Sequence, residues 1–289
     1  MRRLLKKQVK QILSFTLFGS VVLGSAVYGQ QALKSVNNQK LDLTSGSWID
    51  LTHPYQEGMP HYPGHGVFEY KDNPPRGLLP NGEYLAMGEI RVSEHIGTHM
   101  DAPNHFFQGG AATQDIPLDR LNGLAAVIDV SQQAKKSTYQ IKVEDVLAWE
   151  KATGQKVDNR IVFFYTGYSQ YWGDTKKYFG TDDANGGKPE EISFPSIGID
   201  LANWLVKNRK VKAVGLDVSS TDLPNFPSVN ESLHQVHVVL AKAGIPTFEN
   251  VANLHQLVKQ SKSAWIFAFP MKVENGTGGP TRIAAFVPK

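Results

Sequence analysis

Ser93-Glu94-His95-Ile96-Gly97-Thr98-His99-Met100-Asp101-Ala102-Pro103-Asn104-His105 is the stretch on which the reading of this chain turns. His95, His99, Asp101 and His105 carry nitrogen and oxygen donors of the kind that hold zinc or manganese. On a straight strand the Cα atoms of His95 and His99 would lie about 13 Å apart, too far for two imidazoles to share an ion. A helix would stack them, but Gly97 is a poor helix interior and Pro103 cannot occupy one. The segment is therefore expected to bend at Gly97, which tolerates positive φ. A second turn at Ala102-Pro103 would bring His105 back toward the other imidazoles. The pattern differs from the helical H-E-x-x-H zinc motif, because no Glu follows the first His. A surface loop that merely happens to be rich in histidine is the bland alternative, and the framing glycine and proline speak against it.

A second cluster runs from Glu231 to Asn250. On a helix, His237 shares a face with Leu233, Leu240 and Gly244 and so points inward. It is either a satisfied core histidine or a ligand. Glu249 ends an apolar strand, where a carboxylate is costly unless paired or metal-bound. A strand-end carboxylate facing a helical histidine would supply the second half of the first cluster. The chain has no cysteine, which removes thiolate metal sites, iron–sulfur clusters, disulfides and a cysteine nucleophile together.

Outward from these clusters, short strands are expected at Trp48–Leu51, Val67–Tyr70, Tyr84–Val92 and Gly123–Val130. Val143–Ala152 reads as a helix stopped by Gly154, and Arg160–Thr166 as a strand. Tyr168–Ser196 is polar and glycine-bearing, so a long loop over a site is expected. Helix Asp200–Arg209, strand Val211–Val218, helix Ser232–Ala243 stopped by Gly244, and strand Ile245–Phe248 follow. Trp265–Phe269 and Arg282–Val287 look like a closing strand pair. Gly276–Pro280 either lines a pocket with backbone N–H groups or is a plain turn. Trp149, Trp204 and Trp265 are most simply core. His53, His61 and His65 belong to a Pro-rich loop or a pocket rim, and Lys207–Lys212 to a solvated helix end. Strands dominate the first half and alternate with helices in the second, which implies one mixed α/β or α+β domain, whose topology periodicity alone does not give.

The 289 residues are 41% hydrophobic and 20% charged, an ordinary globular composition. The pI of about 8.8 invites a nucleic-acid reading, but the charge is unevenly placed. Arg2, Arg3, Lys6, Lys7 and Lys10 precede an apolar run from Ile12 to about Gly29 that ends in small residues, the pattern of a secretory signal peptide. Cleavage after Ala26 or Gly29 is expected, with an uncleaved membrane anchor as the alternative. Residues from Gln30 on carry 25 Lys and Arg against 27 Asp and Glu, a net of −2, so nucleic acid is not an expected partner. Residues 1–29 are thus read as a signal segment, 30–47 as a polar tether and 48–289 as the folded domain of an exported, periplasmic or secreted protein. No membrane contact beyond the signal segment is expected. Asn230-Glu-Ser232 and Asn275-Gly-Thr277 fit the glycosylation triplet.

The segments resemble the cyclase family of metal-dependent hydrolases, which includes kynurenine formamidases and isatin hydrolases. The signature H-x-G-T-H-x-D-x-P-x-H stands without a gap as His95, Gly97, Thr98, His99, Asp101, Pro103 and His105. The similarity extends through Asp50–Pro54, Tyr62–Gly64, Thr166–Tyr168, Val214–Asp217, Ser220–Asp222, Gly244-Ile245, Glu249-Asn250, Phe269–Lys272 and Gly276–Pro280. The resemblance implies a swivelling β/β/α domain, usually a homodimer. It implies that His95, His99 and Asp101 bind a first divalent metal, and that Asp101 bridges to a second held by His237 and Glu249. It makes His105 the proton-transfer residue. Zinc is the expected metal and manganese the second choice, with one or two ions. Tyr62 and Tyr168 stand where many relatives have Trp, and His65 where an acidic residue is common; these positions are expected to border the substrate pocket.

The chemistry that follows is hydrolysis of a small amide by activated water, either an arylformamide such as N-formylkynurenine or a cyclic amide such as isatin. The alternatives are a cyclase, dehydratase or lactone hydrolase on the same site, or a non-catalytic exported protein that binds metal or ligand.

Overall fold

The computed structural model describes residues 41–62, 64–181, 191–224, 235–260 and 263–289. The expected signal segment, most of the expected tether, the 182–190 part of the expected loop, and the Asn230 triplet lie outside them. Within the compact unit Leu43–Lys289 the strands are β1 (Gly46–Asp50), β2 (Glu69–Asp72), β3 (Gly77–Leu78), β4 (Tyr84–Leu85), β5 (Gly88–Arg91), β6 (His99–Asp101), β7 (Asn122–Asp129), β8 (Gln140–Ile141), β9 (Ile161–Tyr165), β10 (Ser196–Ile197), β11 (Ala213–Leu216), β12 (Thr247–Glu249), β13 (Trp265–Pro270) and β14 (Gly278–Pro288). The helices are α1 (Val143–Thr153), α2 (Thr175–Phe179), α3 (Ile199–Asn208) and α4 (Gln235–Lys242).

Alternation along β7 and β9 explains the architecture. Ala126, Ile128, Val162 and Phe164 face one way, and pack with Val214 and Leu216 under Val146 and Trp149 of α1, Leu201 and Leu205 of α3, and Leu240 of α4. Their neighbours Ala125, Val127, Ile161 and Phe163 face the other way, into a second core with Met100, Phe248, Ile266, Ala268, Ile283 and Ala285. Strands buried on both faces are the mark of parallel crossovers covered by helices. β7, β9, β11 and β12 are indeed mutually parallel, and α1, α3 and α4 lie in the connections between them.

The sheet order is β1-β14-β13-β7-β9-β11-β12-β6, and β14 also pairs with β6. The long β14 thus gives its start, Gly278–Pro280, to β6 and its later residues to β13 and β1. The sheet closes into a barrel around the second core. The expected mixed α+β domain is what the structure shows. Gly276–Pro280 is not the plain turn offered as one reading, because its last three residues are strand. The expected loop Tyr168–Ser196 also holds more than a loop. A 3-10 turn spans Tyr168–Tyr171, and α2 is capped by the Asp174 side chain and ended by Gly180 at φ +83°. Strand β1 starts at Gly46, so Gly46 and Ser47 belong to the sheet and not to the polar stretch before it. Two small ribbons, β2–β5 and β3–β4, stand apart from the barrel sheet; Tyr84–Val92 is accordingly split between β4 and β5.

Candidate metal centre

Strand alternation builds the first half of the centre. On β6, Met100 enters the barrel core, so His99 and Asp101 on either side of it share the outer face. On β12, Phe248 enters the same core, so Thr247 and Glu249 share that face too. The register sets Glu249 opposite His99 and Thr247 opposite Asp101, the distance at which cross-strand side chains meet. His99 Nε2 lies 3.6 Å from Glu249 Oε2 and 3.2 Å from Asp101 Oδ1. Thr247 Oγ1 donates to Asp101 Oδ2 at 2.9 Å.

The bend expected at Gly97 is present, at φ +61°. A Cβ there would sit 2.8 Å from the Tyr55 ring, so both conformation and space call for glycine. The bend brings the His95 ring to 5.5 Å from that of His99 and sets His95 Nδ1 2.8 Å from Asp101 Oδ1. The turn at Pro103–His105 is a 3-10 helix with the proline in its first turn. It stacks the His105 ring on the His95 ring at 3.8 Å and 13°.

The second half comes from α4. His237 lies buried on the inner face of the helix. Its Nε2 is 3.2 Å from Asp101 Oδ2 and 3.0 Å from Glu249 Oε1. The structure therefore brings together two potential ligand triads, His95–His99–Asp101 and Asp101–His237–Glu249, within 4.8 Å in each, sharing Asp101. One Asp101 oxygen faces each triad.

The donor set fits a divalent cation. His99 Nδ1 donates to the Gly97 carbonyl at 2.8 Å. His237 Nδ1 donates to Asp222 Oδ2 at 2.5 Å. Each ring so held turns its Nε2 lone pair toward carboxylate oxygens, an arrangement that repels itself unless a cation or proton lies between. Burial disfavours charge on all of these groups. Against that burial, the His99 charge and hydrogen bonds from His237, His95 and His99 hold Asp101 well below the usual carboxylate range. Against the same burial, hydrogen bonds to Asp101, Asp222 and Glu249 push His237 well above its ordinary value. The Asp101 charge likewise raises His99. His105 behaves differently. Burial pushes it down to about 3, with Asp101 opposing and the other imidazoles adding to the fall, so its ring is neutral at ordinary pH.

All six residues singled out in the sequence, His95, His99, Asp101, His105, His237 and Glu249, border one cavity of about 280 Å³. Tyr62 and His65 border it as well, whereas Tyr168 is packed in the helix-side core and does not. Asp222, Thr221, Thr247, Thr277 and Glu94 support the centre although the sequence does not single them out as site residues. Asp222 accepts from the backbone N–H groups of Val236 and His237 in the first turn of α4 while holding the His237 ring. Thr221 N–H donates to Glu249 Oε1 at 2.8 Å. The Ser220-Thr-Asp222 and Gly276–Pro280 blocks carried a signal for Asp222 and Thr277, but Thr247 stands in no such pattern.

A closed sheet that carries His99, Asp101 and Glu249 on one outer face, met by His95 from the bend before β6 and by His237 from α4, defines a class: an α+β protein with a candidate divalent-metal centre. The family model named Cyclase, described as "Putative cyclase", matches residues 49–223, and the chain belongs to the cyclase family. It is 26% identical over 253 residues to isatin hydrolase of Roseibium aggregatum, covering 83% of this chain and 87% of that protein. It is 28% identical over 237 residues to kynurenine formamidase of Geobacillus thermodenitrificans, covering 82% and 96%. In fold it matches the solved isatin hydrolase A from Labrenzia aggregata bound to benzyl benzoate, at a TM-score of 0.74 and 23% identity over 91% of this chain and 100% of that one. These relatives are named as hydrolases.

Proposed function

We propose that this protein is a metal-dependent hydrolase that opens the C–N bond of a small, compact amide, with a cyclic aryl amide favoured over an amino-acid-bearing formamide. The single observation that carries the metal reading is the tying of His99 and His237 by their Nδ1 atoms, which aims both Nε2 lone pairs at Asp101 and Glu249. His95, His99 and Asp101 would hold one ion, and Asp101, His237 and Glu249 a second. Zinc is the first candidate for such a nitrogen and oxygen donor set, and manganese the second. A bound divalent ion supplies Lewis acidity, which polarises the amide carbonyl and makes water more acidic.

The chain's own residues do the rest. His105 enters neutral and stands against the metal centre through its stack on His95. It takes the proton of the attacking water and hands it to the nitrogen as the C–N bond breaks, so a cyclic amide leaves as one amino acid product. His65 donates its Nδ1 proton to the His95 carbonyl at 2.9 Å, which leaves Nε2 as an acceptor toward a substrate N–H. Among the described residues the cavity lining contains no Lys or Arg. A substrate carboxylate remote from the centre would meet no cation among those described residues, which favours a neutral substrate. Metal analysis of the purified protein, with hydrolysis assays on isatin, N-formylkynurenine and a lactone, tests the reading. Bound metal with isatin opening is the expected result; metal-free protein, or metal-bound protein inert on all three, would overturn it.

Export is proposed as well, on the basic and apolar pattern of residues 1–29. So is a homodimer, because Leu78, Tyr84 and Ile90 on the small ribbons, and Met87 between β4 and β5, are more than half exposed and two-stranded ribbons are marginal alone. Sedimentation at micromolar concentration tests the dimer; the mass of one chain would count against it.

A further inference from the structure

We propose that the Tyr62 hydroxyl selects the substrate of this site: it donates a hydrogen bond to a carbonyl oxygen next to the scissile amide, so that an α-oxo amide is preferred over a plain lactam. The amide itself rests on the hydrolase reading above; the unspent donor and its place in the cavity rest on the structure alone.

Tyr62 is held from two sides. Its ring packs on the helix-side core and lies 5.7 Å from the ring of His65. Its carbonyl accepts the His65 N–H at 3.1 Å, closing a tight turn that passes through Gly64 at φ +81°. The side chain is half-buried and borders the cavity. Tyr55, Tyr139 and Tyr178 each spend the hydroxyl proton on a protein oxygen. The Tyr62 hydroxyl makes no hydrogen bond among the described residues, although a half-buried donor left unmet is costly. A phenol keeps its proton at neutral pH. Burial, with the Glu249 and Asp222 charges adding, pushes this one up to about 12. The influence of those two carboxylates sets the hydroxyl toward the part of the cavity that holds Asp101, His237 and Glu249.

The rest of the lining explains why one such donor matters. Asp101, Asp222 and Glu249 offer only acceptors when ionised, and the described lining has no Lys or Arg. Phe106, with its ring 4.5 Å from that of His237, and Leu223 supply apolar wall. A donor in these surroundings is met by a carbonyl oxygen and left unmet by a methylene. In a cavity of about 280 Å³, a scissile carbonyl held at the triads brings its neighbouring atom, not a remote substituent, beside this hydroxyl. A site that hydrogen-bonds a substrate group rejects the analogue lacking it more strongly than an apolar pocket rejects a missing methylene.

The test compares isatin with 2-indolinone, the same bicycle without the second carbonyl oxygen, on the metal-loaded native protein and on Tyr62→Phe. 2-Indolinone is read through kcat/KM or, if it is not opened, through its inhibition constant against isatin. Tyr62→Phe keeps the ring on the core, and its metal content and melting are measured alongside. The isatin kcat/KM is expected to fall about 10-fold relative to the 2-indolinone value, the scale of one hydrogen bond. Tyr168→Phe removes a hydroxyl outside the cavity and should leave that ratio in place; an equal shift there would overturn the proposal. An equal loss on both amides would make Tyr62 a general support of the reacting carbonyl and overturn the selection, as would an unchanged ratio in Tyr62→Phe. If the native protein opens neither amide, the hydrolase reading fails, and equilibrium binding of the same two compounds decides the donor. A preference for isatin that collapses in Tyr62→Phe upholds it; no preference, or no binding, overturns it.

Discussion

At the scale of single residues, the centre separates groups that hold from groups that transfer. Asp101 places one oxygen in each triad, so Asp101→Ala is expected to abolish metal binding at both positions. Elemental analysis checks this, and full occupancy would contradict the shared role. Asp222→Asn should act on one triad alone. The Val236 N–H, which donates to Asp222 Oδ1 in the native chain, claims the asparagine's one carbonyl oxygen, so its NH2 faces His237 Nδ1 donor to donor, the ring turns to its other tautomer, and Nε2 ceases to be a lone pair. The expected result is about half the metal content, with circular dichroism unchanged. His105→Ala should retain all its metal and lose turnover by about 100-fold or more; undiminished turnover would remove His105 from proton transfer. These residues were unequally legible in the sequence. His95, His99, Asp101 and His105 fall within one short segment, so chain geometry alone tests their convergence. Glu94, Thr277 and Asp222 are ordinary residue types; Glu94 meets Thr277 only where the start of β14 pairs with β6, and Asp222 meets His237 only where α4 follows β11.

At the scale of elements, the bend before β6 and the tie between α1 and α3 illustrate how the frame supports the centre. Gly97→Ala would place a Cβ in positive φ and within 2.8 Å of the Tyr55 ring, whose hydroxyl holds the Ile96 and Thr98 carbonyls. A loss of about 1 to 3 kcal/mol is expected, read as a lower denaturant midpoint. Glu150 near the end of α1 accepts from Arg209 through two nitrogens and from Lys156 and Val157 N–H. Despite the burial that raises it, these partners bring Glu150 from 4.5 down to about 2. A folded value below the unfolded one adds stability above about pH 4.5, and that contribution fades as pH falls toward 2. Glu150→Gln should therefore cost about 3 kcal/mol at neutral pH and progressively less in acid; an equal cost at both pH values would count against this tie. The sequence showed α1 and α3 through periodicity and Gly154. It did not show α2, although Asp174 and Gly180 bracket it, because a helix of a turn and a half is too short to print a period. Nor could it show that the sheet closes, since alternation records which face is buried and not which strand lies beside it.

At the scale of the whole molecule, β1 ties the start of the described unit to its end. Gly46–Asp50 pairs with Pro288–Ala284, so the first strand of the unit is held by the last. Trp48 rests on the rings of Phe286 and Phe267 at 5.1 and 5.6 Å. Leu51 is fully buried, donates to Ile283 and accepts from Ala252. Asp50 closes a two-point ion pair with Arg282. None of these contacts needs residues before Leu43, and removal after Ala26 or Gly29 would leave all of them intact. A chain starting at Leu43 should thus melt within a few degrees of one starting at Gln30 and bind the same metal. A chain starting at His53 loses the strand, the Leu51 side chain and the ion pair together. Burial of Leu51 alone is worth about 1.5 to 3 kcal/mol, and with the ladder the deficit should pass about 4 kcal/mol, which lowers melting by about 10 °C or more. Thermal unfolding of the three chains distinguishes the cases. Equal melting of the His53 chain would show that β1 is an ornament on the barrel, and marked instability of the Leu43 chain would place part of the folded body upstream of it.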